Sequence, residues 1–163
     1  MKNISEIYEG LLADMETVMK SGNAGIKKII KQFLDTNYSV VTKNGKFFVS
    51  AKPDNDGLYN VTATGSVYML HNDLEEFTNG MFKFTNIRGS FNASGSKSLK
   101  TLKNGPISVL GDFNISRCAS LESLEYCPRN VASDFICLGT KFTKKDIKAA
   151  CYHSWRQITD DDK

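Results

Sequence analysis

The chain has 163 residues, of which 40% are hydrophobic and 24% charged, with a formal net charge of +3. That length suits one domain with a real core and is short for two, and the composition is that of an ordinary globular protein. No stretch approaches the ~18–20 apolar residues a membrane-spanning helix requires, and so mild a charge argues against a polybasic nucleic-acid binder.

Residues 1–36 read as two amphipathic helices forming a helical cap. Ile4, Ile7, Tyr8, Leu11, Leu12, Met15, Val18 and Met19 keep to one stripe at i, i+3, i+4 spacing. Ser21-Gly22-Asn23 tolerates a left-handed C-cap and ends the first helix there. The second helix turns Ile26, Ile29, Ile30, Phe33 and Leu34 inward and Lys27, Lys28 and Lys31 outward.

The period then changes from 3.6 to 2 across a β region, 37–70. Tyr38 to Val41 and Phe47 to Val49 flank Asn44-Gly45, the strongest short signal for a type I′ hairpin. Pro53-Asp54-Asn55-Asp56-Gly57 is a turn by composition. Leu58 to Leu70 alternates as a strand with Val61, Ala63, Val67 and Met69 inward, and Gly65-Ser66-Val67 echoes Gly89-Ser90-Phe91.

From 71 to 142 the same pattern returns about three times. Leu99, Leu102, Pro106, Val109, Phe113 and Ile115 are answered 22 residues later by Leu121, Leu124, Pro128, Val131, Phe135 and Cys137. Ile87, Gly89, Phe91 and Ala93 stand 22 residues before Val109, Gly111, Phe113 and Ile115. The front of that upstream copy, Leu74 to Phe77 with Asn79-Gly80, matches at an offset of 25, so three residues are inserted between Gly80 and Ile87. Periods of about 20–29 residues with leucines at L-x-x-L spacing mark a solenoid. After the repeats, Thr143 caps a short helix within 143–154, with Asp146 completing a capping box and Ile147, Ala150 and Cys151 facing inward. It covers the apolar end of the stack. The acidic tail within 157–163 reads as disordered.

Leu110-x-x-Phe113-x-Ile115-x-x-Cys118-x-x-Leu121 resembles the strand segment of leucine-rich repeats. The position held there by Asn or Cys falls on Ser96, Cys118 and Thr140, with no Asn in any repeat, and Arg88 stands where the upstream copy should start with leucine. Leu121-Glu122-Ser123-Leu124 followed by Pro128 is also similar to the short proline-containing repeats of bacterial secreted effectors. The resemblance implies an outward face on the repeat sheet made of the residues between inward positions. On that face Asn92, Asp112, Asn114, Ser116, Asp134, Ile136 and Leu138 are candidate partner-binding residues, with Ser90 and Ser94 beside them. Ile136 and Leu138 are hot-spot candidates wherever the C-terminal helix leaves them uncovered.

As a whole the chain resembles a group of tailed-bacteriophage proteins that share a helix pair, a short β region and repeats of the form S-L-x-x-L-x-x-x-P-x-x-V-x-x-D-F. Asp134-Phe135-Ile136-Cys137 followed by Lys141 to Ile147 matches their terminal unit. The resemblance implies expression in the cytoplasm of an infected bacterium and carries no catalytic residues across.

Gly89 to Ser98 has one residue too many for a phosphate-binding loop and lies where Phe91 and Ala93 are inward strand positions, not at a strand-to-helix turn. Cys118, Cys127, Cys137 and Cys151 lack the close C-x2–4-C spacing of a zinc site, so no metal or cofactor is expected and the thiols read as free and reduced. His71 and His153 sit in no recognisable triad, and the carboxylate pairs Glu75-Glu76 and Asp54/Asp56 read as solvated surface. Lys141, Lys144, Lys145, Lys148 and Arg156 form a basic patch, more simply a solvated helix face than a nucleic-acid contact.

The sequence thus predicts one α+β domain: an N-terminal helix pair, a β-hairpin region, and a short leucine-rich-repeat-like β solenoid with a C-terminal capping helix. The expected function is non-catalytic binding of a host protein, inhibiting or redirecting host defence or gene expression. The alternatives are a nucleic-acid-binding regulator using the basic helix and a virion assembly component.

Overall fold

The computed structural model describes residues 4–42, 44–151 and 157–161. It is a β-solenoid of about four coils, each contributing one short strand to each of two sheets. One sheet, here sheet B, holds β2 (Phe47–Val49), β3 (Tyr59–Ala63), β5 (Phe82–Ile87), β7 (Ser108–Val109) and β9 (Asn130–Val131), in that spatial order. Sheet A runs β1 (Tyr38–Val41), β4 (Ser66–Met69), β6 (Phe91–Asn92), β8 (Phe113–Asn114), β10 (Asp134–Ile136) and β11 (Gln157–Thr159). The coil strands are parallel to one another, whereas β1 and β2 lie antiparallel on the first coil.

The 22-residue pattern is the coil. Val109 pairs with Val131, Phe113 with Phe135 and Phe91 with Phe113. Stacking like on like makes internal ladders: Val67–Phe91–Phe113–Phe135–Ile158 on the sheet A side and Ala63–Ile87–Val109–Val131 on the sheet B side, all buried. Leu99, Leu102, Leu121 and Leu124 close the third side. The inserted residues are absorbed where expected. The Lys100 amide donates to the Glu75 carbonyl, 25 positions back, while Ser108 pairs with Asn86, 22 positions back.

Each repeat carries two strands where a leucine-rich repeat would present one, because a glycine corner breaks it. Gly89 and Gly111 stack at that corner, with the Gly111 amide donating to the Gly89 carbonyl at 2.9 Å. A Cβ on Gly111 would stand 2.8 Å from the Ser90 nitrogen and 2.9 Å from the Gly89 carbonyl carbon. Those are backbone atoms of the neighbouring coil and cannot swing aside. Gly111→Ala is therefore expected to cost about 1–3 kcal/mol by forcing two coils apart, measurable as a fall in the urea midpoint. The same corner at Gly65 splits Leu58 to Leu70, expected as one strand, into β3 and β4.

A second backbone device repeats on the other corners. Asn104 (φ 60°) and Tyr126 (φ 66°), 22 residues apart, are both left-handed, and Gly95 (φ 79°), Arg117 (φ 59°) and Gly139 (φ 68°) form a second such row. The turn therefore demands a left-handed residue even where no glycine is supplied, which costs each non-glycine occupant about 1–2 kcal/mol.

Three expectations for the ends of the stack need correction. First, Asn44-Gly45 does not make a hairpin. Asn44 is left-handed (φ 66°) and Gly45 N donates to Thr42 O, but β1 and β2 diverge into different sheets. Pairing β1 with β4 and β2 with β3 buries Tyr38 and half-buries Val40, Phe47 and Val49 against both sides of the first coil. A hairpin would leave one side open.

Second, the helix pair is not matched. α1 is one helical run, Ile4–Asn37, interrupted only at Gly22 (φ 56°, ψ −138°). Of the described side chains, those after Gly22 reach the core: Ile29, Ile30 and Leu34 are buried, with Ile26 and Phe33 packed on them. All eight side chains of the expected stripe before Gly22 lie outside what is described.

Third, the tail is not disordered throughout. β11 pairs in parallel with β10, adding a fifth rung beyond the four coils to the sheet A ladder, and the Asp161 carboxylate accepts from the Gly139 amide at 2.7 Å. Between them α2 (Lys144–Ala150) has the capping box foreseen for it: Asp146 N donates to Thr143 Oγ1 and Thr143 N to Asp146 Oδ2. Ile147 and Cys151 are buried, but Ala150 is exposed, since the helix ends there. Residues 152–154 of the expected helix lie outside the described residues.

Candidate functional site

The outward face of sheet A is built by register. Tyr68, Asn92, Asn114, Ile136 and Thr159 form one row across β4, β6, β8, β10 and β11. Asn92 and Asn114 each accept the amide two residues on, from Ser94 and Ser116, both at 2.9 Å. Their side chains thereby close Asx turns that shape the coil. A neighbouring row is structural too. Ser66 Oγ accepts from Ser90 N, Ser90 Oγ from Asp112 N, and Asp112 Oδ1 from Asp134 N, at 3.0, 2.9 and 3.0 Å. Each side chain on this row holds the next coil.

Ile136 is half-buried between Asn114 and Thr159, so β11, not the helix, flanks it. Leu138 is 39% exposed, as is Tyr68 at the opposite end of the face, and Leu70 is exposed beside it. Ser116 departs from expectation. It is buried, because Ser94 and Leu138 stand at the equivalent place in the coils on either side, and its hydroxyl has no hydrogen-bond partner among the described residues. It belongs to the stack, not to a contact face.

The basic patch is present but diluted. Lys141, Lys144, Lys145 and Lys148 are all exposed, with Lys141 Nζ lying 5.4 Å from the centre of the Phe142 ring. Against these four charges stand three carboxylates: Asp146 in the capping box, Asp160 accepting from the Lys144 amide, and Asp161. The Thr143 hydrogen bonds, with Lys145 nearby, hold the Asp146 carboxyl below the usual carboxylate range. Among the described residues the patch is left with an excess of one positive charge. Arg156, with Tyr152, His153 and Trp155, lies outside the described residues.

Among the described residues no group of three His, Cys, Asp or Glu side chains is arranged to hold a metal ion. The His71 ring touches the Thr36 carbonyl. Asp54 and Asp56, expected as solvated surface, clasp Lys83 at 2.6 and 3.2 Å. That clasp lowers the Asp54 pKa and raises that of Lys83.

The cysteines divide in a way their spacing did not announce. Cys127 and Cys151 form a disulfide across a separation of 24 residues, which corrects the expectation of four free thiols. Cys127 occupies the place that Gly105 holds one coil earlier, and Cys151 is the C-cap of α2. Chain folding alone brings them together. Cys118 and Cys137 are free and buried, and burial pushes both thiols up to about 11. Thiolate being the reactive form, neither is expected to react with a thiol reagent at pH 8 until the protein is denatured; a timed alkylation read by mass checks this. Because each thiol ionises near 9 when unfolded and near 11 when folded, the unfolded chain loses its protons first. Their contribution to stability falls across that interval as pH rises.

A second surface feature lies on the sheet B side. A groove of about 520 Å³ runs from Leu58 in the first coil, past Lys83, Lys103 and Ile107, to Tyr126 and Arg129 in the fourth. Its cationic members are spread over three repeats, which is why no local cluster betrayed it. The 22-residue register, extended to outward positions, places Ile107 and Arg129 in one row. No protein-family model matches this sequence, and neither a curated protein nor a solved structure matches it.

Proposed function

We propose that this protein is a non-catalytic binding module that recognises another protein through the outer face of sheet A, with Ile136 and Leu138 as its apolar anchors. One observation carries the reading. Polar side chains on the middle coils of this face are spent on coil-to-coil and turn hydrogen bonds, whereas large apolar side chains stand half-exposed or exposed at its ends. Leucine and tyrosine do nothing for a coil when they point outward, and exposed apolar groups flanked by polar ones suit a protein contact. The resemblance to tailed-bacteriophage proteins directs the search for the partner to a bacterial host, among proteins of defence or gene expression.

The test is an affinity capture from bacterial lysate with wild type and an Ile136→Asp/Leu138→Asp variant whose folding is verified by circular dichroism. One dominant protein, retained by wild type and lost by the folded variant, is the expected result. Nucleic acid in the eluate, or an unchanged capture by the variant, would sink this reading. Presence of the protein in purified virions without any captured host protein would favour the assembly role instead.

A further inference from the structure

We propose that the groove on the sheet B side takes an extended acidic and apolar peptide segment of a protein partner. This rests on the protein-binding reading, but on a surface separate from Ile136 and Leu138, so the two can fail independently.

Its positive charge is only partly compensated. Lys83 is already spent on Asp54 and Asp56, but Lys103 and Arg129 have no carboxylate within ion-pair distance among the described residues. Among the described residues Asp56 is the acidic side chain lining the groove, and Glu125 stands beside Tyr126 at its rim. The floor between the two free cations is apolar, with Ile107 40% exposed. Tyr126 stands at the rim in the left-handed region (φ 66°) and is 52% exposed. A bulky residue held there without glycine's freedom is a costly choice, and its hydroxyl, hydrogen-bonded to the Glu125 carboxylate, has its pKa raised by that charge.

The dimensions select the occupant. Leu58 to Arg129 spans three strand spacings, about 14 Å at ~4.8 Å each, which about four residues of extended peptide would cover. Single-stranded nucleic acid asks for successive stacking rings and many cations, whereas this groove offers one ring and two free charges. A segment with carboxylate, apolar and carboxylate side chains at every second position, all on one face, fits better. Arg129 can grip a carboxylate through two parallel N–H donors, Lys103 can take a second, and the apolar side chain between them would rest on Ile107 and the Tyr126 ring.

The experiment is fluorescence anisotropy of a labelled peptide of about five residues, Glu-Ser-Leu-Ser-Glu, titrated with the full chain. Saturable binding is expected, weakened about tenfold or more in a Lys103→Glu/Arg129→Glu variant and unchanged in Lys144→Glu/Lys148→Glu. Tyr126→Gly removes the ring while relieving the backbone, so it should weaken binding with no loss of thermal stability. No saturable binding, equal binding of an all-glutamate peptide, tighter binding of oligothymidylate, or indifference to the double charge reversal would each overturn the proposal. Peptide binding that persists when the Ile136→Asp/Leu138→Asp variant captures as well as wild type would leave this groove standing and remove the sheet A reading alone.

Discussion

Phe113→Ala is expected to lower stability by about 3–5 kcal/mol, one of the two largest effects any single site here should show. Phe113 is fully buried midway along the internal ladder, with its ring 6.0 Å from Phe91 and 5.2 Å from Phe135. Removing it loses the ring's transfer free energy and opens a cavity that Phe91 and Phe135 can fill only by sliding their own coils. A solenoid coil touches only its neighbours, so the damage is directional as well as large. Phe113 sits on β8, where the first two coils, ending at β6, meet the last two. Melting should shift down on the order of 10 °C, with the C-terminal coils losing amide-exchange protection before β3 and β5. Phe48→Ala supplies the control. That ring points outward, is 47% exposed and touches only Lys46 Nζ, 4.9 Å from its centre, among the aromatic and cationic contacts of the described residues, so its loss should stay within about 1 kcal/mol. A single cooperative transition with little change in midpoint for Phe113→Ala would contradict the ladder as the element that couples the coils.

The second large effect belongs to the Cys127–Cys151 disulfide. Closing a loop of 24 residues stabilises by about 3 kcal/mol in the chain-entropy view. Little else holds the element it secures. α2 has seven residues and buries Ile147 alone within the helix, while β11 contributes three residues to the edge of sheet A. Reduction with a dithiol, or Cys151→Ala, should therefore act locally. Amide exchange should accelerate across 144–151 and 157–161 while β3 and β5 remain as protected as before, and thermal unfolding should gain an early step. Cys127→Ala should behave like Cys151→Ala, and the two together like either one, because all three remove the same cross-link. Full additivity of the two substitutions would mean the cysteines act separately. Uniform loss of protection along the whole stack would mean that the cap is coupled to every coil, contrary to nearest-neighbour behaviour.

Much of the fold was legible. Ladder partners such as Val109 and Val131, or Phe113 and Phe135, were readable as a 22-residue repeat because stacked coils ask the same side-chain volume of the same position. The Thr143–Asp146 box was readable because capping is settled within four residues. The candidate surfaces were less so. Asn92, Asn114 and Asp112 were correctly placed outside the hydrophobic core, but the alternation that places them cannot tell a side chain free to meet a partner from one already accepting a neighbouring amide. Ser116 was misplaced for a related reason. Alternation turns it outward, yet the coils on both sides bury it.

What remained hidden depended on which parts of the chain meet. Asn44-Gly45 specifies a reversal, but the two open sides of the first coil decide that β1 and β2 separate into different sheets. Residues 157–159 have too little alternation to announce a strand; β10 offers them an unpaired edge to join. Cys127 and Cys151 are 24 residues apart, and only the passage of α2 over the last coil brings their sulfurs together. Residue spacing records how the chain repeats, since each coil imposes the same local geometry on the same positions. The sheet partners of the terminal strands, the disulfide and the cationic groove come from edges and surfaces that exist only once the coils are stacked.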